Sequence, residues 1–136
     1  MKLKLLLFLF SFGISTSVTA EIVLYCISEL ATGISKENGI YRTTDFVPKR
    51  YTVKFSDDYS RVEGVDTFNL IWECKSVSYM TVDGVTVVCS TMNYPSETFT
   101  YNKKTKRFLH FTGARFGFLD NRPDSNAIYA GTCEKF

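Results

Sequence analysis

Hydrophobic and polar positions alternate in short runs through residues 21–136, and no stretch sustains a 3.6-residue period, so the pattern predicts strands and no long helix. The clearest run is "RYTVKFS", in which Tyr51, Val53 and Phe55 alternate with Thr52, Lys54 and Ser56, one face buried and the other wet. "EIVLYCIS", Glu21 to Ser28, is apolar, β-branched and short enough for a buried strand. "DDYS" then turns "RYTVKFS" into "RVEGV" as a hairpin. "TFNLIWECKSVSYM" carries Phe68, Leu70 and Trp72 on one face, and Asp83-Gly84 suits a type I′ turn into the return strand "VTVVCSTM".

Further along, "SETFTY" places Phe99 and Tyr101 together, and "RFLHFTGARFGFL" alternates Phe108, His110, Thr112, Ala114, Phe116 and Phe118. Gly113 and Gly117 inside that run suit bends or bulges, and "AIYAGTCEKF" forms the last strand. "ATGISKENGIYRTTDFVPKR" differs from the rest: two glycines, a proline and many polar residues predict an irregular excursion with a short strand or turn around Ile40-Tyr41. About six to eight strands with turn chemistry between them indicate an all-β fold, a small antiparallel β-barrel or a sandwich. Large inward residues such as Phe55, Trp72, Phe99 and Phe116 predict a filled interior.

The first twenty residues have a different pattern. Two lysines, an apolar run from Leu5 to about Ile14 and a small-residue end at Val18-Thr19-Ala20 predict a secretory signal peptide cleaved before Glu21. The apolar run is about ten residues, where a membrane span needs about 20. Residues 21–136 then form one domain, acting in the periplasm or outside the cell. This division changes the charge: of 16 basic residues Lys2 and Lys4 fall in the leader, which leaves 14 basic against 14 acidic. A balanced domain argues against nucleic acid as a partner, and no stable membrane insertion is expected.

Cys26, Cys74, Cys89 and Cys133 are an even set, and export to an oxidising compartment implies disulfides, with three possible connectivities. The expected pairs are Cys26 with Cys133, tying the opening strand to the closing one, and Cys74 with Cys89, stapling neighbours. The first would favour a barrel, because closing a sheet makes its first and last strands neighbours. With no C-x-x-C spacing and one histidine, neither a metal site nor a cofactor is predicted.

Catalytic patterns are sparse. His110 is the single imidazole, flanked by Leu109 and Phe111 with no nucleophile elbow, and reads as a hydrogen-bonded filler of an apolar strand face. No phosphate-binding, dinucleotide, zinc-protease or calcium-loop motif occurs. Asp57-Asp58 reads as turn chemistry. A non-enzymatic binding domain is therefore expected, with two candidate surfaces. Lys103, Lys104, Lys106 and Arg107, between Tyr101 and Phe108, suit a protein or anionic envelope component, or form the wet tip of a hairpin. Tyr41 and Arg42, with Lys36, Glu37 and Asn38, form a solvent-facing set around Gly39, and a Tyr-Arg pair is a frequent interface anchor.

The "CISE", "FTYNKKTKRF" and "GTCEKF" segments resemble a group of short exported bacterial proteins of unknown function, which implies export and paired cysteines but no activity. In size, export and disulfide-linked barrel, the chain is also similar to periplasmic inhibitors of c-type lysozyme, whose inhibitory loop reads Ser-Gly-x-x-Tyr. Here Asn38-Gly39-Ile40-Tyr41 lacks the Ser and is one residue short, and Thr32-Gly33-Ile34-Ser35 lacks the Tyr, so no site is carried over. A lipocalin-like carrier of a small ligand is the alternative to a binding module with a packed core.

Overall fold

The structure, a computed structural model, describes residues 21–65, 70–77, 85–91, 97–113 and 117–135. The predicted leader, Phe68, Asp83-Gly84, Ala114 and Phe116 lie outside these residues. Among the described residues there are nine strands and no helix: β1 (Glu21–Glu37), β2 (Ile40–Asp45), β3 (Arg50–Ser56), β4 (Arg61–Glu63), β5 (Trp72–Val77), β6 (Thr86–Ser90), β7 (Thr98–Asn102), β8 (Arg107–Thr112) and β9 (Asn126–Lys135).

Eight of them close an antiparallel barrel, β1-β3-β4-β5-β6-β7-β8-β9 and back to β1, and β2 is an extra strand on the far half of β1. Closure places Cys26 opposite Cys133 and Cys74 opposite Cys89, and both pairs are disulfides. Such cross-links form in oxidising, extracellular-type surroundings.

Period-two alternation fills the interior. Leu24, Val53, Phe55, Val62, Trp72, Val87, Phe99, Tyr101 and Phe108 all point inward and are buried. Phe55 stacks on Tyr101 with ring centroids 5.6 Å apart, and Phe99 stacks on Phe108 at 5.5 Å. Outward positions on β3 such as Thr52 and Lys54 are polar, whereas Tyr25, Ile27, Leu30, Leu109, Phe111 and Ile128 leave the outer face of β1, β8 and β9 apolar and exposed. The 57–60 and 103–106 turns share one end of the barrel, here the basal end; the β1–β2 tip and the 117–122 loop share the other, the apical end.

Two sequence expectations change. The supposed irregular excursion is a β-hairpin: β1 runs on to Glu37 and β2 returns from Ile40, joined by Asn38 (φ 50°) and Gly39 (φ 81°). Both turn residues adopt the left-handed conformation that a two-residue hairpin loop demands. Where β2 gives way to β3, buried Ser28 holds the bend, its hydroxyl accepting from Lys49 N at 2.6 Å and donating to Lys49 O at 3.1 Å. A bulge at Glu29 shifts the β1–β9 register, and Gly131 faces it because a Cβ there would collide with the Ile27 carbonyl. The second change concerns β8, which ends at Thr112; Phe118, expected on the strand's inward face, lies in an exposed turn.

Candidate functional site

The apical end is built by long-range contacts. Lys36 and Tyr41 are directly opposite on the β1–β2 hairpin, so their side chains share a face, and the 117–122 loop packs against that face. The Tyr41 hydroxyl lies 2.8 Å from both the Gly117 and the Arg122 carbonyl oxygens, a bifurcated donor bridging the two ends of the loop. Lys36 Nζ donates to Asn121 O at 2.8 Å and to Asn121 Oδ1 at 2.6 Å. The loop also closes on itself, with Arg122 N donating to Gly117 O at 2.7 Å. Phe118 packs edge-on against Tyr41, ring centroids 4.9 Å apart, yet is 51% exposed, and Leu119 is 75% exposed. Ile40, at the start of β2, is exposed as well. The result is an apolar knob on a backbone fixed by hydrogen bonds, with Lys36 and Arg122 beside it.

Tyr41 is therefore only partly the solvent-facing residue the sequence suggests: its ring is half-buried and its hydroxyl is committed to two backbone carbonyls. Arg42 is exposed, as are Glu37 and Asn38. Phe118 and Leu119 escaped sequence reasoning because the run of alternating apolar residues that forms β8 continues in the sequence up to them, and only the turn residues Asp120 and Asn121 follow as a break.

The basal cluster is organised differently. Asn102 Oδ1 accepts from Lys104 N at 3.0 Å and Thr105 N at 2.9 Å, and Lys106, at φ 61°, donates its N–H to Asn102 O at 2.9 Å. The turn is thus closed from within, while its ends are tied to neighbouring strands by Lys103 N donating to Val85 O at 2.9 Å, Asn102 Nδ2 to Thr86 Oγ1 at 3.0 Å and Cys133 N to Lys106 O at 2.8 Å. Lys103 is half-buried, with Nζ 4.9 Å from the Tyr59 ring centroid, while Lys104, Lys106 and Arg107 extend into solvent. Tyr101 and Phe108 point into the core, so the aromatics flanking the cluster anchor strands and do not face a ligand. Among the described residues no carboxylate pairs with these four cations.

No known protein family, curated protein or solved structure matches the chain. Its chemistry must be read from its own residues.

Within the barrel, His110 is 2% exposed and sits among Tyr51, Trp72, Phe99 and Tyr129, with ring centroids 5.4 to 6.1 Å away. Tyr51 Oη is 3.0 Å from Nδ1, and Glu97 Oε1 is 3.3 Å from Nε2, close but poorly aligned for a hydrogen bond. Burial, then the Tyr129 phenol and the Glu97 carboxylate, push the Tyr51 phenol well above its ordinary value, so it keeps its proton. In the neutral ring Tyr51 donates to Nδ1 and Nε2–H faces Glu97. The Tyr51–His110 hydrogen bond pairs two polar groups in an aromatic interior, Nε2 makes no hydrogen bond among the described residues, and the histidine is closed off from solvent. Among the described residues no group of three or more metal-ligating side chains occurs, and no helix is long and apolar enough to cross a membrane.

Proposed function

We propose that the chain is an exported, non-enzymatic binding domain in which the barrel is a filled scaffold and the apical knob is the recognition surface. The partner is a protein with a cleft wide enough to accept Phe118 and Leu119, and the domain works in the periplasm or outside the cell. The observation that carries this reading is the pinning of the 117–122 loop by Tyr41 and Lys36. Exposed aromatic and aliphatic side chains on a fixed backbone lose little conformational entropy on docking, which is how preorganised loops gain affinity. Apolar anchors exposed together, rimmed by charge, are also the usual composition of a binding hot spot.

The alternatives gain less. A lipocalin-like carrier needs an open interior, and here that space is taken up by Trp72, Phe55, Phe99, Tyr101 and Phe108. Catalysis by His110 needs access to a reacting group, which its burial opposes. The basal cations suit an anionic envelope component, but Lys104, Lys106 and Arg107 extend into solvent and do not converge on one point with fixed partners.

The test is capture of envelope proteins by the oxidised chain, residues 21–136, immobilised through its C-terminus. A partner retained by the wild type is lost, with affinity down about 100-fold, in the Phe118→Ser/Leu119→Ser variant. It is kept by the Lys103→Ser/Lys104→Ser/Lys106→Ser variant. The opposite pattern would overturn the apical reading in favour of the basal cluster. Titration against a c-type lysozyme in a cell-wall turbidity assay decides whether the partner is of the inhibitor-like kind.

A further inference from the structure

The extra strand leaves one of its two edges open. Phe46 N donates to Ala31 O at 2.8 Å, and the two-residue turn makes Glu37 and Ile40 the closing pair, so residues 40, 42 and 44 direct their backbone groups at β1. The N–H and C=O groups of Tyr41, Thr43 and Asp45 consequently point away from β1. Among the described residues no strand pairs with that side of β2. Of the devices that protect an edge, "IYRTTD" has two exposed charges of opposite sign, Arg42 and Asp45, but no proline, no lysine and no bulge, and Thr43 is exposed. β2 also lies beyond the stretch of β1 that pairs with β3, so it flanks the barrel wall instead of forming part of it.

From this geometry we infer that β2 is a self-association edge, and that its occupant is β2 of a second copy, paired antiparallel about a two-fold axis at Thr43. This goes beyond the recognition surface proposed above, which uses side chains on one face of the hairpin and not its edge. Two-fold symmetry about an axis normal to the sheet requires opposed residues of equal parity, so few registers are open. Centring on Thr43 joins Tyr41 to the second copy's Asp45, Thr43 to Thr43, and Asp45 to Tyr41, which uses every outward backbone group of the strand. Centring on Arg42 would set two guanidinium groups directly opposite one another, a destabilising cross-strand pair. The Thr43 register instead sets each Arg42 opposite Thr44. A second copy thus fits the edge with complete hydrogen bonding and no opposed like charge.

The experiment is sedimentation equilibrium of the oxidised chain, residues 21–136, across micromolar to millimolar concentration, with two variants. Thr43→Pro removes the outward N–H at the axis but no β1–β2 hydrogen bond, and raises the dimer dissociation constant about 100-fold. Thr43→Cys, whose thiols face each other across the axis, forms an intermolecular disulfide under mild oxidation, whereas Arg42→Cys does not. A wild type that is monomeric at every concentration overturns the inference. So does a dimer unaffected by Thr43→Pro or one that Arg42→Cys cross-links as readily as Thr43→Cys; if Thr43→Pro does not fold, the cysteine pair decides alone.

Discussion

The two ends of the barrel each carry a lysine over a tyrosine ring, Lys36 over Tyr41 at 5.0 Å and Lys103 over Tyr59 at 4.9 Å, but the chain uses the two pairs differently. At the apical end the tyrosine hydroxyl bridges to backbone 76 and 81 residues away, so the loop's shape depends on the tertiary fold. At the basal end Asn102 arranges the turn from within two or three residues, and the neighbouring 57–60 turn is likewise local, with Asp58 Oδ1 accepting from Ser56 Oγ at 2.7 Å and Ser60 N at 2.9 Å. At the basal turn the distant bonds, Lys103 N to Val85 O and Cys133 N to Lys106 O, hold only its two ends, and its tip is shaped by Asn102. A loop held by distant groups presents apolar side chains in one arrangement, which is what recognition requires.

Both ends stand on the same cross-linked frame, and removing the cross-links gives the largest effect. Closing a loop of 107 residues, the Cys26–Cys133 bridge is worth about 4–5 kcal/mol by chain entropy, so Cys26→Ala/Cys133→Ala lowers the urea-unfolding free energy by that amount. Cys74→Ala/Cys89→Ala, with a separation of 15, costs about 3 kcal/mol. Loss of structure confined to one end in either variant would break the idea of a common frame.

A smaller effect separates the ends. Asn102→Ala removes the acceptor of two turn amides and costs about 1 kcal/mol. Amide exchange should quicken at Lys104 and Thr105 and stay unchanged in the 117–122 loop.

The smallest effect is the pH response of Asp58 at the basal end. The Ser56 hydroxyl, then the Ser60 N–H and hydroxyl, hold the Asp58 carboxyl down at about 2, below its ordinary 3.8. A carboxyl depressed on folding contributes above its unfolded value, and that contribution fades as pH falls through the folded one. The Ser60 amide resonance should therefore titrate with a midpoint near pH 2 in the wild type and lose that titration in Asp58→Asn. Apical resonances whose acid-range movement is altered by Asp58→Asn would contradict the separation of the two ends.

Much of the barrel was legible because alternation is enforced wherever one strand face meets the core: Tyr51, Val53 and Phe55, or Phe108 and His110, announce their strands directly. The disulfide partners were legible too, since in a closed sheet Cys26 and Cys133 must become neighbours. The β1–β2 hairpin was not, because it extends past the core and both its faces are largely wet, which erases the alternation; only Asn38-Gly39 kept a hairpin signature. The apical site was hidden for a related reason. Phe118 fits the inward phase of β8 by coincidence of spacing, and nothing local records that Tyr41 will reach the carbonyls beside it. A turn whose tip is closed by its own Asn, such as Asn102 to Lys106, can be read from a few residues, whereas a loop shaped from across the fold cannot.

The central claim, that a distant hydroxyl fixes the recognition loop, is tested most directly by site-resolved amide exchange of the oxidised chain with and without Tyr41→Phe. The Arg122 amide, donating to Gly117 O at 2.7 Å, should be protected in the wild type and exchange about 10-fold faster in the variant, while the Lys106 amide keeps its rate. An Arg122 amide that exchanges as fast as an unstructured chain in the wild type, or that is indifferent to Tyr41→Phe, would contradict the account.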